Sequence, residues 1–289
     1  MTRRSQAPFY LLVLPGFMLF FFFHTLPVIQ GVYYSFTNFR GWGAYEFVGL
    51  RNYINVFRDH RVMNAYWFTL VFAVVTTVLV NSISLTVALG LNNKRLFARG
   101  LFKTIYFIPY VLSLLIIGYI FRYLFAHMLP VVGRALSIDI LSRNILGNSN
   151  TAWIGVVLVT IWQTSSFSMI IYLAGLQSIP EDLYNACAID GGGGWAKFWH
   201  ITFPLIAPFF TINMVVSLKN FLMVFDQIMS LTGGGPGRST ESVSILIYRG
   251  GFEGGQFAYQ SANAVILLIV VASISLFQVF WLQKREVQL

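Results

Sequence analysis

Apolar residues gather into six long runs separated by short polar stretches, instead of alternating with polar ones as they do in elements that keep one face in water. The runs cover residues 9–29, 66–91, 105–126, 152–176, 201–224 and 262–282. A helix needs roughly 20 apolar residues to cross the hydrocarbon core, where every backbone amide must be satisfied within the segment. All six runs reach that length. The pattern predicts an all-α integral membrane protein with six transmembrane helices. The first run, behind Arg3 and Arg4, has the flanks of a secretory or twin-arginine signal, but it is too long for one and no A-x-A site follows. It is read as a retained helix.

Composition supports this reading. Of 289 residues 57% are hydrophobic and 10% charged, with mean hydropathy +0.70, which leaves too little polar surface for a soluble globule. The longest connections have fewer than 40 residues, too short for a core of their own, so residues 1–289 are expected to form a single membrane domain. The single cysteine, Cys187, excludes a disulfide within the chain.

The net charge of +9 comes from nineteen Lys and Arg scattered in ones and twos, which is not the clustered footprint of a nucleic-acid binder. Their density sets orientation instead. With the N terminus inside, the inner segments hold nine of them in 51 residues, among them Arg3, Arg4, Lys94, Arg95, Arg99, Lys103, Lys197, Lys284 and Arg285. The outer segments spread nine over 103 residues. Both termini are therefore expected in the cytoplasm, and the largest inner connection is the loop 177–200.

That loop reads "QSIPEDLYNACAIDGGGGWAKFWH". Ser178 followed by Glu181 has the spacing of a capping box, with Pro180 at the helix start and Glu181 and Asp182 against its dipole. Leu183, Tyr184, Cys187 and Ala188 share one face at helical spacing, and Gly191 offers the positive φ that ends a helix. A second helical stretch brings Trp195, Phe198 and Trp199 together. Neither these glycines nor Thr232–Gly237 sit on the strand-to-helix turn that a phosphate-cradling loop requires. Exposed aromatics beside a close-approach backbone mark the inner loop as a docking surface for a soluble partner. Thr232–Gly237 reads equally as a plain flexible turn.

Polar residues inside the apolar runs are candidates for a solute path. On the fifth run Asn213, Ser217, Asn220 and Gln227 fall within about 80° of one another around the helix. They form a neutral stripe suited to hydroxyl groups, to which the fourth run adds Gln163. The competing reading is that such residues glue helices together. Lys219 and Asp226 lie on another face, where pairing or snorkelling to water is the reading preferred over solute contact. Tyr106, Trp162 and Tyr172 are placed either to stack on sugar rings or to pack. The four histidines are isolated, no metal-ligand spacing occurs and no G-x-S-x-G elbow is present, so catalysis within the chain is not expected.

"IPEDLYNACAIDGGGGWAKFWHITFPLIAP" resembles the EAA loop of permease subunits of binding-protein-dependent ABC importers, in particular the carbohydrate-uptake branch. Ile179, Pro180, Leu183, Tyr184, Ala186, Ile189, Asp190, Gly191, Trp195, Phe198, Ile201, Thr202 and Pro204 fall on its pattern. Asn185 replaces the usual glutamate, and Cys187 and Gly192 each replace an alanine. "FVGLRNYINVF", "FIPYVLS", "LAGLQSIP", "FDQIMSLTGGGPGRSTESVSILIYRGGF" and "YQSANAVILLIV" extend the likeness in order along the chain.

The resemblance implies the type I ABC importer permease fold, in which the loop is a cytoplasmic coupling helix. Asn185, Ala186, Asp190, Gly191, Gly192, Trp195 and Phe198 would meet the ATPase. It also implies a bacterial or archaeal cytoplasmic membrane and a second, homologous permease subunit. Two ABC ATPase subunits that bind ATP and Mg, and an extracytoplasmic solute-binding protein, would complete the importer. This chain would carry no cofactor itself. Sugars are the expected cargo; a phosphorylated solute such as glycerol phosphate is the alternative, and an ATP-independent transporter a more distant one.

Overall fold

Lipid offers backbone amides no hydrogen-bond partner, and the chain meets that constraint almost entirely with helices. The structure, a computed structural model, describes residues 7–93, 96–139 and 141–284. Arg3, Arg4, Lys94, Arg95 and Arg285, part of the charge asymmetry, lie outside the described residues. Among the described residues five helices are long and apolar enough to cross a membrane: α1 (Leu12–Tyr34), α3 (His60–Asn92), α5 (Leu114–Ala135), α6 (Ala152–Ser178) and α12 (Phe257–Gln283). A sixth span is made by α8 (Gly194–Leu205) and α9 (Ala207–Leu222), bent by 67°. The shorter helices are α2 (Arg51–Arg58), α4 (Arg99–Val111), α7 (Glu181–Ile189), α10 (Asp226–Leu231) and α11 (Val243–Tyr248).

Two of the apolar runs are not single helices. The run 105–126 straddles α4 and α5, separated by an extended step at Leu112 (ψ 146°) and Ser113 (ψ 129°). Pro109 already removes a hydrogen bond from the last turn of α4. The carbonyl of Leu112 is met from α6 by Gln163 Nε2 at 3.2 Å. The run 201–224 is bent at Ile206 (ψ 0°), just before Pro208, whose ring lacks an N–H and crowds the carbonyl four residues back. Hydropathy records apolarity and is blind to both breaks. The other helices outrun their apolar runs at one end: α1 continues to Tyr34, α3 starts at His60 and α12 at Phe257.

The chain divides into two compact units. One comprises residues 1–63 and 246–269. Here Tyr34 stacks on Phe39 at 4.4 Å, and Phe257 meets both rings edge-on. Ala258 N–H donates to Phe39 O at 2.8 Å, and Asn52 Nδ2 donates to Ser35 O and Thr37 O. Tyr259 donates its hydroxyl to Asp59 at 3.0 Å.

The second unit, residues 64–245 and 270–289, holds a core of Ala88, Leu91, Met169, Tyr172, Leu173, Leu176, Ile179 and Ile206. Small residues allow close helix contact here, as is usual in lipid. A Cβ on Gly118 of α5 would collide with Ser230 of α10. One on Gly175 of α6 would lie 2.6 Å from the Phe209 ring of α9.

Gly175→Val should therefore force repacking at a cost of about 1–3 kcal/mol, read as a lowered melting midpoint in detergent. Gly90→Val, with nothing within 4 Å of the added atom, should leave it in place.

Candidate functional site

The loop 177–200 is built from the end of one span to the start of the next. Ser178 closes α6, and its hydroxyl donates back to Gly175 O at 2.8 Å. The expected capping box is thus absent. α7 starts after Pro180, whose extended backbone (φ −60°, ψ 135°) occupies the N-cap position without a side-chain cap. Proline also drives the residue before it out of helical conformation, and Ile179 is extended (ψ 124°). Ser178 is thereby kept in the preceding helix and turned away from the next. Glu181 and Asp182 do occupy the first turn of α7, where its dipole favours them.

A Schellman motif ends α7. Gly191 takes φ +79°, Gly192 N–H donates to Cys187 O at 2.8 Å and Gly191 N–H to Ala188 O at 3.2 Å. Only Gly191 needs the left-handed backbone. Gly192 is needed for a different reason: a Cβ there would strike Cys187 Sγ and sit 2.8 Å from Cys187 O. The two alanine replacements noted in the sequence are therefore neighbours in space, a larger side chain at 187 facing the smallest at 192.

Among the expected coupling residues, Asn185, Ala186, Asp190, Gly191 and Trp195 are exposed, and Gly192 and Phe198 are half-buried. Trp195 is 76% exposed and packs edge-on against Trp199, which in turn contacts Phe198. Ile189, 87% exposed, belongs to the same surface and was missed as a site residue. An isoleucine beside Asp190-Gly191 in a polar loop was the available signal. The predicted inner face is narrower than expected, since Tyr184 and Cys187 are sheltered while Leu183 and Ala188 are exposed.

Tyr184 fixes the inner side of α7. Its ring packs on the core cluster, and its hydroxyl lies 3.0 Å from Thr202 Oγ1. Thr202 also donates to Lys197 O at 3.2 Å, within a π-helical turn spanning Phe198–Thr202. Four residues on, Ile206 is fully buried at the bend between α8 and α9. One side-chain contact and one turn of helix thus connect α7 to the bend.

The polar residues of the spans divide into two sets. Gln163 and Asn213 are 2% and 1% exposed; Gln163 donates to Leu112 O, and Asn213 Nδ2 to Ser168 O at 3.1 Å. Ser217 is buried as well, at 7%. These three sit in helix contacts, as the packing reading of the stripe requires. Asn220 is exposed and Gln227 half-buried, so the stripe opens only at its far end. Tyr106 and Tyr172 are likewise spent on packing, with hydroxyls bonded to Ser165 (2.8 Å) and to Asn81 Oδ1 (2.7 Å). Trp162 remains 44% exposed. No ion pair joins Lys219 to Asp226 among the described residues; Lys219 is exposed.

Known proteins resemble the chain in sequence and in fold. The chain is 36% identical over 281 residues to a probable starch degradation products transport system permease protein of Thermoanaerobacterium thermosulfurigenes, covering 97% of this chain and 96% of the relative. It is 38% identical over 271 residues to a multiple sugar-binding transport system permease protein of Streptococcus mutans, covering 93% and 92%. The fold superposes on a chain of a bacterial ABC transporter involved in the import of the acidic polysaccharide alginate, with TM-score 0.81 and 24% identity over 96% of each chain. Residues 81–286 match the family described as binding-protein-dependent transport system inner membrane component, and the chain, a multi-pass membrane protein, belongs to that family.

Proposed function

We propose that this chain is the permease subunit of an ATP-driven importer for sugars, forming half of the translocation pore, and that α7 with its Schellman turn docks into cytoplasmic ATPase subunits. The observation that carries the docking is the contrast between the two sides of α7. One side presents Asn185, Ile189, Asp190 and Trp195 to solvent, while the other is tied through Tyr184 and Thr202 to a buried bend. A lever must be gripped at one end and anchored at the other. The relatives' roles in starch-product, multiple-sugar and alginate transport support a saccharide as cargo.

In this reading two ATPase subunits bind ATP and Mg and hydrolyse the nucleotide, while this chain performs no catalysis. A second homologous permease completes the pore, and an extracytoplasmic binding protein delivers the solute. Both termini and the loop 177–200 face the cytoplasm. Asn185, in place of the usual glutamate, contacts the ATPase by neutral hydrogen bonds, which its amide can give and receive. The solute passes Asn220 and Gln227, whose polar groups are accessible, while Gln163, Asn213 and Ser217 hold the helices that frame the path.

Covering a fully exposed isoleucine stabilises an interface by roughly 1.5–3 kcal/mol, about tenfold or more in affinity. Ile189→Asp should leave expression and membrane insertion intact yet reduce ATPase co-purification and uptake at least tenfold. Wild-type levels of both in that variant would remove the docking surface from α7. Gly191→Trp should weaken the same two readouts, since φ +79° strains any side chain at that position and an indole there would stand in the proposed docking surface.

Cysteine scanning tests the path. Asn220→Cys and Gln227→Cys should react with polar thiol reagents in at least one nucleotide state of the assembled importer, and Asn213→Cys in none. Lack of reaction at both 220 and 227 in every state would move the path elsewhere.

A further inference from the structure

A cleft of about 590 Å³ opens beside α7, between the end of α3, the start of α4 and the end of α6. Arg99 and Lys103 line it. They stand four residues apart on α4 and so face the same way. Three features make this pair unfavourable as it stands. Like charges at that spacing repel. Both occupy the first two turns of α4, where the helix dipole is already positive. The Nε of Arg99 is enclosed and has no hydrogen-bond partner, so its desolvation goes uncompensated.

The surroundings supply little relief. Asn92 and Gln177 line the cleft as neutral groups, and Glu181 is the one carboxylate among its lining residues. Glu181 belongs to the first turn of α7, whose own dipole draws on its charge. Loss of solvation, with Arg99 nearby, holds the Lys103 ammonium below the ordinary lysine pKa. A bound anion would reverse each of these costs at once.

We propose that this cleft binds a phosphate-bearing anion between Arg99 and Lys103, and that in the membrane the anion is the headgroup of an acidic phospholipid. Cationic clefts at the membrane surface hold such headgroups by charge, with the lipid tails supplying the rest. An occupant would sit between the start of α4 and the end of α6, where the Gln177 amide can donate to it. Its binding is separate from the docking proposed above, because it is read without ATPase or transport; only the leaflet it faces rests on the proposed orientation.

The test uses the full-length chain in nanodiscs of phosphatidylcholine, titrated with phosphatidylglycerol or with inorganic phosphate. Lipid retention is followed by native mass spectrometry and stability by the melting midpoint. Phosphatidylglycerol should stay bound to the wild type and raise its midpoint. The pair Arg99→Gln/Lys103→Gln should bind it at least tenfold more weakly, Arg99→Lys should keep most of the binding, and Arg143→Gln, at an exposed arginine elsewhere, should keep all of it. Protection by millimolar phosphate alone, lost in the same pair, would keep the site and assign it to free phosphate. Should the pair not elute as a monodisperse species, Lys103→Gln alone should show a partial loss. Unchanged lipid retention in the pair, or in Lys103→Gln where the pair does not fold, would overturn the proposal, as would a wild type that neither ligand protects.

Discussion

The contact between Tyr184 and Thr202 joins a short surface helix to the rest of the membrane domain, and the geometry around it follows from that join. A nine-residue helix has too little hydrogen bonding and buried area to hold a fixed pose by itself. Here its orientation comes from one aromatic ring on the cluster around Ile206 and one hydroxyl contact. The remaining surface of α7 is thereby left available, and the Schellman turn keeps the chain close as it reverses into α8. Tyr184 matters for position and Ile189 for contact, although both belong to one family motif.

The interrupted helices follow from the same economy of polar groups. Breaking a helix within an apolar run exposes carbonyls that lipid cannot satisfy. At Leu112 the repair is Gln163, which reaches across from α6. Beyond the bend before α9, Asn213 and Ser168 join α9 to α6 about two turns further on. Buried Gln and Asn in these spans are therefore tied to places where backbone leaves the regular helix or where helices must meet closely. The same side chains read as a solute stripe from spacing alone, because angular position on a helix does not say whether a neighbour covers that face.

This is also where sequence reasoning reached its limit. Apolarity over about 20 residues is dictated by bilayer thickness, so the existence of the spans was legible from composition alone. The positive φ of Gly191 was legible too, since Asp-Gly at the end of a short helical run leaves few alternatives. Ser178 was not. Its spacing to Glu181 fits a cap, but Pro180 imposes an extended step that keeps the serine in the preceding helix, and the capping-box spacing leaves the identity of the two middle residues unspecified. The bends at Leu112 and Ile206 were hidden for a similar reason: proline inside a span can kink, shift or merely be tolerated, and neighbouring helices decide which.

The pair Cys187 and Gly192 shows how two departures from a family pattern become one physical fact. Each alone reads as a neutral drift from alanine. In space the sulfur occupies the volume a Cβ at 192 would need, and the carbonyl of 187 accepts the hydrogen bond that closes the turn. Enlarging one position requires the other to shrink if Gly192 N–H is to stay at 2.8 Å from its acceptor. Asn185 has no such compensating neighbour, because it lies on the exposed side of α7 and its change from a carboxylate alters only what the helix offers outward. A partner surface matched to this chain should accordingly be less basic opposite residue 185 than one matched to a glutamate, since a fixed cation facing an amide gains a hydrogen bond but loses the charge attraction that would offset its desolvation.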